Sequence, residues 1–392
     1  MSSKFVSSLA VASAVGLGSI AFAQNQPPAV SVLRVGANGS TSALSNTAAP
    51  VFIDTFASGT ANQSGPSATL AISTTTNGLN RRLTMIGNAT SEGGLSLSSD
   101  GRYLTLIGYD SAVGAASSTM FPASTNRVIA RIDSAGNIDT TTVLANGEYS
   151  GTAGTNVRGV VTADGSSYYV AGNGTGTGSN STGGVRYVQH GAITAPASPS
   201  ILIAPSTSAG GTGNIRRTYL ANGQLYAVTN SSPFTGVSTI GTGTPTTAAQ
   251  TMTNIFGTGG SSYDVFFAST TVAYLTDTRA TASGGGLQRW NFNGSTWTLA
   301  YTLSNGLPTG LSGLAGALLS GGDIYFAGIT ADGARLVTIT DNLANIAATG
   351  TFTTLAIAPT NTAFRGVAIP TPGAASLLAG LGLVAARRRR VR

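Results

Sequence analysis

The chain carries one histidine, no cysteine and thirteen acidic residues, and that roster bounds the chemistry it can do. His190 ends the strand-like segment Gly184-to-His190 (GVRYVQH), where a lone imidazole is more often a hydrogen-bonded surface group than a base. A Ser-His-Asp triad would need a serine on a sharp turn, and no G-x-S-x-G elbow occurs. Without cysteine there are no disulfides, thiolate nucleophiles or thiolate metal sites. Neither H-E-x-x-H nor a D-x-[DN]-x-[DN]-G calcium loop is present. The expectation is therefore a non-enzymatic protein with no assigned catalytic residue, cofactor or metal ligand.

Carboxylates and arginines remain. Asp100, Asp164 and Asp332 each precede glycine, which turn geometry explains. Glu92 and Asp264 open segments that read as inner strands, and Arg158, Arg216, Arg217 and Arg365 fall on comparable segments. If those strands surround a channel, Glu92, Asp264, Arg158 and Arg365 would meet at its mouth as a ligand pocket. A solvated channel held by salt bridges is the competing reading. The run Gly172-to-Gly184 (GNGTGTGSNSTGG) has closely spaced glycines, but no helix follows to present its dipole to a phosphate, so a loop is expected. Trp290 and Trp297 fall on adjacent strands and are expected to pack between sheets.

The elements that would position these residues recur along the chain. A short apolar segment, a turn and an alternating strand with aromatics appear at 92–110, 157–173, 215–230, 263–277 and 314–330. Their hinges are Asp100-Gly101, Asp164-Gly165, Asn222-Gly223, Ser269-Thr270 and Gly321-Gly322. Asp-Gly and Asn-Gly between alternating runs are strong hairpin signals, because both turn residues must tolerate positive φ. Further strand-like segments follow most hairpins, for example Arg127-to-Asp133 and Leu287-to-Phe292. None is assigned after the third. The repeat length suits four-stranded blades.

Three strands near the N-terminus, in Ser31-to-Val35, Val51-to-Ala57 and Ala68-to-Ser73, lack an inner partner, and Thr362-to-Ile369 is an inner-type strand without a blade. Joining them gives an all-β fold, a six-bladed β-propeller closed by the C-terminal strand. Five or seven blades, or a stack of β-sandwiches, are the alternatives. Tyr274-Leu275-Thr276-Asp277 resembles the YWTD element of one propeller class, and Ser98-Ser99-Asp100-Gly101 the sialidase Asp-box, but both lack the defining tryptophan and assign nothing.

The ends read differently from the body. Lys4, the apolar stretch Phe5 to Ile20 and the small-x-small site Ala21-Phe22-Ala23 follow the order of a secretory signal peptide, residues 1–23, with cleavage after Ala23. At the other end, Gly373 to Ala386 is an uncharged apolar run. Arg387, Arg388, Arg389 and Arg390 follow it. The run is shorter than the roughly 20 residues of a stable span, and its arginines would stay on the cytoplasmic side. The formal charge is +7; removing Lys4 and the five arginines from Arg387 to Arg392 leaves +1. The high basicity thus belongs to the two ends, and no nucleic-acid surface is expected. Charged residues are 8% of the chain, against roughly 25% usually, with Gly, Ser, Thr and Asn in their place.

The order Pro370-Thr371-Pro372, apolar run, Arg387 to Arg390 resembles the PEP-CTERM sorting signal recognised by exosortases, with Thr371 where glutamate is usual. The resemblance covers the tail, residues 370–392, and leaves 24–369 as the propeller-like body. It implies partners in the export machinery and an exosortase-like enzyme. It also implies transient inner-membrane anchoring by a short C-terminal helix, and a mature protein at the cell surface or outside it, associated with polysaccharide or surface proteins. The function expected is structural or binding. The alternative is an exported glycan hydrolase or lyase using the channel carboxylates.

Overall fold

The computed structural model describes Pro27 and residues 29–370, apart from 146, 152–153, 193–199, 206, 209–210 and 213. The signal segment, including Ala21 and Ala23, and the tail from Thr371 through Arg387 to Arg390 lie outside the described residues. Within them the chain forms six four-stranded antiparallel sheets, the blades of a β-propeller. Among the described residues helix is confined to the single turn Ser117–Met120 and a few 3-10 turns.

Blade 1 combines both ends of the described chain. Its strands, from the centre outward, are Ala363–Ala368, Ala29–Val35, Val51–Ala57 and Ala68–Ala71. Ser31 pairs with Ala368 and Val35 with Ala363. Blade 2 is Ser96–Leu97, Tyr103–Tyr109, Arg127–Asp133 and Ile138–Leu144. Blade 3 is Val157–Val161, Ser167–Gly172, Gly184–Gln189 and Ile201–Ala204. Blade 4 is Ile215–Ala221, Gln224–Thr229, Gly236–Ile240 and Met252–Phe256. Blade 5 is Ser262–Phe267, Val272–Asp277, Gly286–Phe292 and Trp297–Leu303. Blade 6 is Leu311–Leu318, Asp323–Thr330, Arg335–Asn342 and Thr353–Ile357.

Local chemistry explains the hairpins. Asn222 and Gly223 have φ of 50° and 71°, the pair of positive values that a tight two-residue turn requires. Asp100 Oδ1 accepts from the Arg102 amide at 3.1 Å, and Asp164 and Asp332 do the same two residues onward, so these carboxylates brace turns as expected. The two outer strands of blade 4 carry too little signal to be read in advance. GVSTI and MTNIF are short, and the Thr/Gly-rich segment between them resembles the loops around it.

Burial follows position within a blade. Strands near the axis are covered by blades on both faces; all seven residues of Ala29–Val35 are buried, Ser31 and Arg34 among them. The outermost strands are open, as in Trp297–Leu303, where Thr298 to Ala300 are exposed. The core lies between blades. Tyr274 and Phe326 pack at 4.5 Å between blades 5 and 6, and Phe56 meets Phe364 edge-on at 6.0 Å within blade 1. Trp290 and Trp297 pack on Phe256 of blade 4 at 5.1 and 4.9 Å, the inter-blade role expected of them.

Polar pins cross the same seams. Buried Asp341 of blade 6 accepts from the hydroxyls of Tyr274 and Tyr301 in blade 5 at 2.7 and 2.6 Å. It also accepts from Asn345 at 2.6 Å, and the Arg289 guanidinium is 3.7 Å away. Both carboxylate oxygens accept hydrogen bonds, as a buried carboxylate requires.

Candidate functional site

The channel is lined by the six inner strands, and a shared irregularity shapes one end of it. In blade 3, Val157 pairs with Gly172 and Gly159 with Ala171, so Arg158 is an extra residue. Blade 4 repeats this at Arg216 and blade 6 at Ser312. In blade 5, Tyr263 and Asp264 together oppose Thr276, and in blade 1, Arg365 and Gly366 together oppose Leu33. These are β-bulges near the start of five of the six inner strands, and the short inner strand of blade 2 pairs without one. A bulge breaks the two-residue alternation and re-aims the side chains beside it. The result is one layer across the channel that holds Arg158, Arg216, Arg217, Tyr263, Asp264 and Arg365.

Glycine makes the layer possible. A Cβ on Gly94 would come within 2.8 Å of the Arg158 carbonyl oxygen and 3.0 Å of Arg217 Cζ. Gly94 instead lets its amide donate to the Arg158 carbonyl at 2.8 Å, joining blade 2 to blade 3. Gly366 is pressed equally closely against the backbone of Gly93 and Leu95.

The cationic groups cluster around one ring. Tyr263 reaches across the channel and donates to the Thr90 carbonyl at 2.6 Å. The guanidinium carbons of Arg217 and Arg216 lie 4.8 and 5.5 Å from the Tyr263 centroid. Arg217 Nη1 donates to the carbonyls of Arg158 and Arg216 at 2.8 and 3.0 Å, and its Nε is 3.8 Å from Asp264 Oδ2. Arg158 donates to the Asn156 and Asn214 side chains and to the Ile215 carbonyl. Arg365 Nη2 donates to the Gly87 carbonyl at 2.7 Å. Burial lowers the Arg158 pKa to about 9, and the Arg216 charge adds to the effect.

Beyond this layer lies a cavity of about 310 Å³, bounded by all six inner strands. Ser96, Ser98, Thr162 and Thr218 supply polar groups to its wall, Leu95 and Phe266 apolar ones. Among the described residues Asp264 is the single charged one that lines it. Its side chain is 15% exposed, its Oδ2 accepts from the Leu314 amide at 3.2 Å, and burial raises its pKa to about 6.

The structure therefore brings together Asp264, Arg158 and Arg365, with Arg216 and Arg217, near one level of the channel. Glu92 behaves differently. It precedes the blade 2 inner strand, is 2% exposed and does not line the cavity. Its carboxyl accepts from the Ile86 amide at 2.9 Å, the Tyr109 hydroxyl at 3.0 Å and Asn156 at 3.4 Å. Burial raises its pKa to about 7. These contacts anchor a loop beneath blade 2 and leave no open face for a ligand. Tyr263 and the bulges escaped the sequence reading, although the shared Arg-Gly pairs at Arg158 and Arg365 were a visible trace of them.

His190 is held in a surface network. Its Nδ1 is 2.8 Å from the buried Tyr168 hydroxyl, and its Nε2 is 3.3 Å from Asp139, which Arg131 also contacts at 3.2 Å. Burial lowers its pKa, favouring the neutral imidazole. The Tyr168 side chain is fully buried, so this chain of contacts offers no exposed nucleophile. Among the described residues no group of three or more metal-ligating side chains occurs, and no helix is long and apolar enough to cross a membrane.

No family model matches this chain, and no curated protein sequence matches it. Solved structures similar to it include a proposed 6-phosphogluconolactonase from Bacteroides uniformis, 14% identical, covering 85% of this chain and 83% of that one, with a TM-score of 0.44. A hypothetical selenium-binding protein from Sulfolobus tokodaii is 10% identical, covers 88% and 94%, and scores 0.45. The WD40 propeller domain of Doa1 is 9% identical, covers 85% and 96%, and scores 0.39. At these values the likenesses go no further than overall shape; the propeller assignment rests on the hydrogen-bonded register of the blades.

Proposed function

We propose that this chain is an exported cell-envelope propeller of structural or binding type, carried to the surface by its two ends. The observation that supports the reading most is the placement of charge. The body is close to neutral, and the excess of basic residues sits in Lys4 and in the arginines from Arg387 to Arg392. The ordered signal pattern before Gln24 and the Pro370-Thr371-Pro372, apolar, arginine order after the body supply the address. The antiparallel pairing of Ala29–Val35 with Ala363–Ala368 sends both ends of the body out at the same rim, near Ile369 and the cavity. A precursor held by its tail then presents the cavity toward the membrane and the arginine layer away from it. Removal of the chain beyond Pro372 leaves the pairing of Ala29–Val35 with Ala363–Ala368 intact.

Intact-mass measurement of the protein from its native cell tests this directly. The expected mass lacks residues 1–23 and the chain beyond Pro372, with any added glycan as a further increment. A mass retaining both ends would overturn the itinerary.

The second reading is an exported glycan hydrolase or lyase, favoured by Asp264 at the cavity floor with its raised pKa. Glu92 offers it no second carboxylate in that cavity. Turnover of a glycan that survives Asp264→Asn unchanged would sink it.

A further inference from the structure

The arginine layer holds more positive charge than its surroundings neutralise. Arg158, Arg217 and Arg365 are 5%, 3% and 6% exposed, and Arg216 is half-buried beside them. The carboxylates nearby are Asp264 and Glu92, and burial pushes both toward the protonated form. Buried charge is tolerated when it is paired. Two carboxylates, even when fully ionised, leave two of these four guanidinium groups without a counter-charge.

The donors tell the same story. Arg216 Nε, Arg217 Nη2 and Arg365 Nε are buried and have no hydrogen-bond partner among the described residues. By contrast, Arg158 donates to the Asn156 and Asn214 side chains and to the Ile215 carbonyl. An unmet N–H in a buried guanidinium is costly, because the group has left water without gaining a partner. Three such groups in one layer, brought there by bulges and glycine contacts, are what a built anion site looks like. The layer lies nearest the rim opposite the chain ends. There Thr90 is exposed, Arg216 is partly open and Tyr263 spans the gap.

We propose that this layer binds an oxyanion, a carboxylate, phosphate or sulfate group held by Arg216, Arg217 and Arg365 beside Tyr263. Guanidinium groups prefer such ligands because their paired N–H donors match two oxygens of the anion. The oxyanion is either a free small anion or the acidic group of a larger molecule such as a uronate sugar. The site is independent of export, and a chain that keeps both ends would still carry it.

Calorimetric titration of the detergent-purified full-length chain tests the proposal. The probes are sodium phosphate, sodium sulfate, sodium glucuronate and, as the neutral control, glucose, with sodium chloride holding ionic strength constant. Saturable binding of at least one oxyanion and none of glucose is expected. Phosphate or sulfate binding identifies a free tetrahedral anion; glucuronate alone identifies a carboxylated sugar. Arg216→Gln, at the half-buried position, should fold and weaken binding about tenfold or more, which is about 1.4 kcal/mol. Arg365→Gln should do the same, and Arg102→Gln on an exposed turn should change nothing. Three outcomes overturn the site: no saturable binding of any oxyanion, wild-type affinity in Arg216→Gln, or equal weakening in Arg102→Gln.

Discussion

Replacing Phe364 with alanine tests whether the ring behaves as one body. Phe364 sits on the C-terminal inner strand of blade 1 and is 1% exposed. It packs among Val32, Phe56, Leu336 and Leu355, so its neighbours come from blades 1 and 6. Truncating a buried phenylalanine costs about 3–5 kcal/mol, the sum of lost transfer energy and the cavity left behind. For a body this large the urea dependence lies at or above the upper end of about 1–3 kcal/mol per molar. The midpoint should then fall by about 1 M. Tryptophan fluorescence is a fitting probe, because Trp290 and Trp297 both lie in blade 5, remote in sequence from the substitution. In a closed ring whose blades unfold together, damage in blade 1 shifts the blade 5 signal and the far-UV circular dichroism by the same amount. A fluorescence midpoint that stays at the wild-type value while the dichroism falls earlier would refute this reasoning. Blade 1 would then open alone, as the end unit of a linear array does.

Three further outcomes follow from the hydrogen-bonded polar groups. Glu92 keeps its proton to about pH 7 in the folded protein, against 4.5 ordinarily, so the folded state binds more protons between those values. Stability should therefore fall as pH rises through that window, by on the order of 3 kcal/mol from this group, and Glu92→Gln should flatten the slope. Urea unfolding at pH 5 and pH 8 measures it, and an unchanged slope in the variant would count against burial as the cause. Asp341→Ala strands two tyrosine hydroxyls, the Asn345 amide and the Arg289 charge between blades 5 and 6. It should cost about 3–5 kcal/mol in the same assay, and a loss below about 1 kcal/mol would remove the seam from the account. His190→Ala removes neutral contacts to Tyr168 and Thr142, so a loss of about 1 kcal/mol is expected. Any glycan turnover the protein possesses should survive that change, and its abolition would restore a catalytic reading of the imidazole.

What the sequence determined by itself is local. Asp-Gly and Asn-Gly placed the hairpins because positive φ is a property of single residues. The alternating aromatic runs gave strands, and their repetition gave blades. The lone strand at Ala363–Ala368 found its partner at Ala29–Val35 because each was visibly incomplete. Blade 4 shows where local signal fails, since its outer strands are held by neighbours more than by their own residues. The site depended on tertiary structure throughout. A bulge is a mismatch between two paired strands, so it is invisible in either strand alone. It turned Arg158, Arg216 and Arg365 into one layer with Tyr263 and Asp264. The same packing folded Glu92 away beneath Tyr109, although its position in sequence resembles that of Asp264. The chemistry first looked for in isolated residues resides in this convergence, where charges from different blades share one poorly hydrated space.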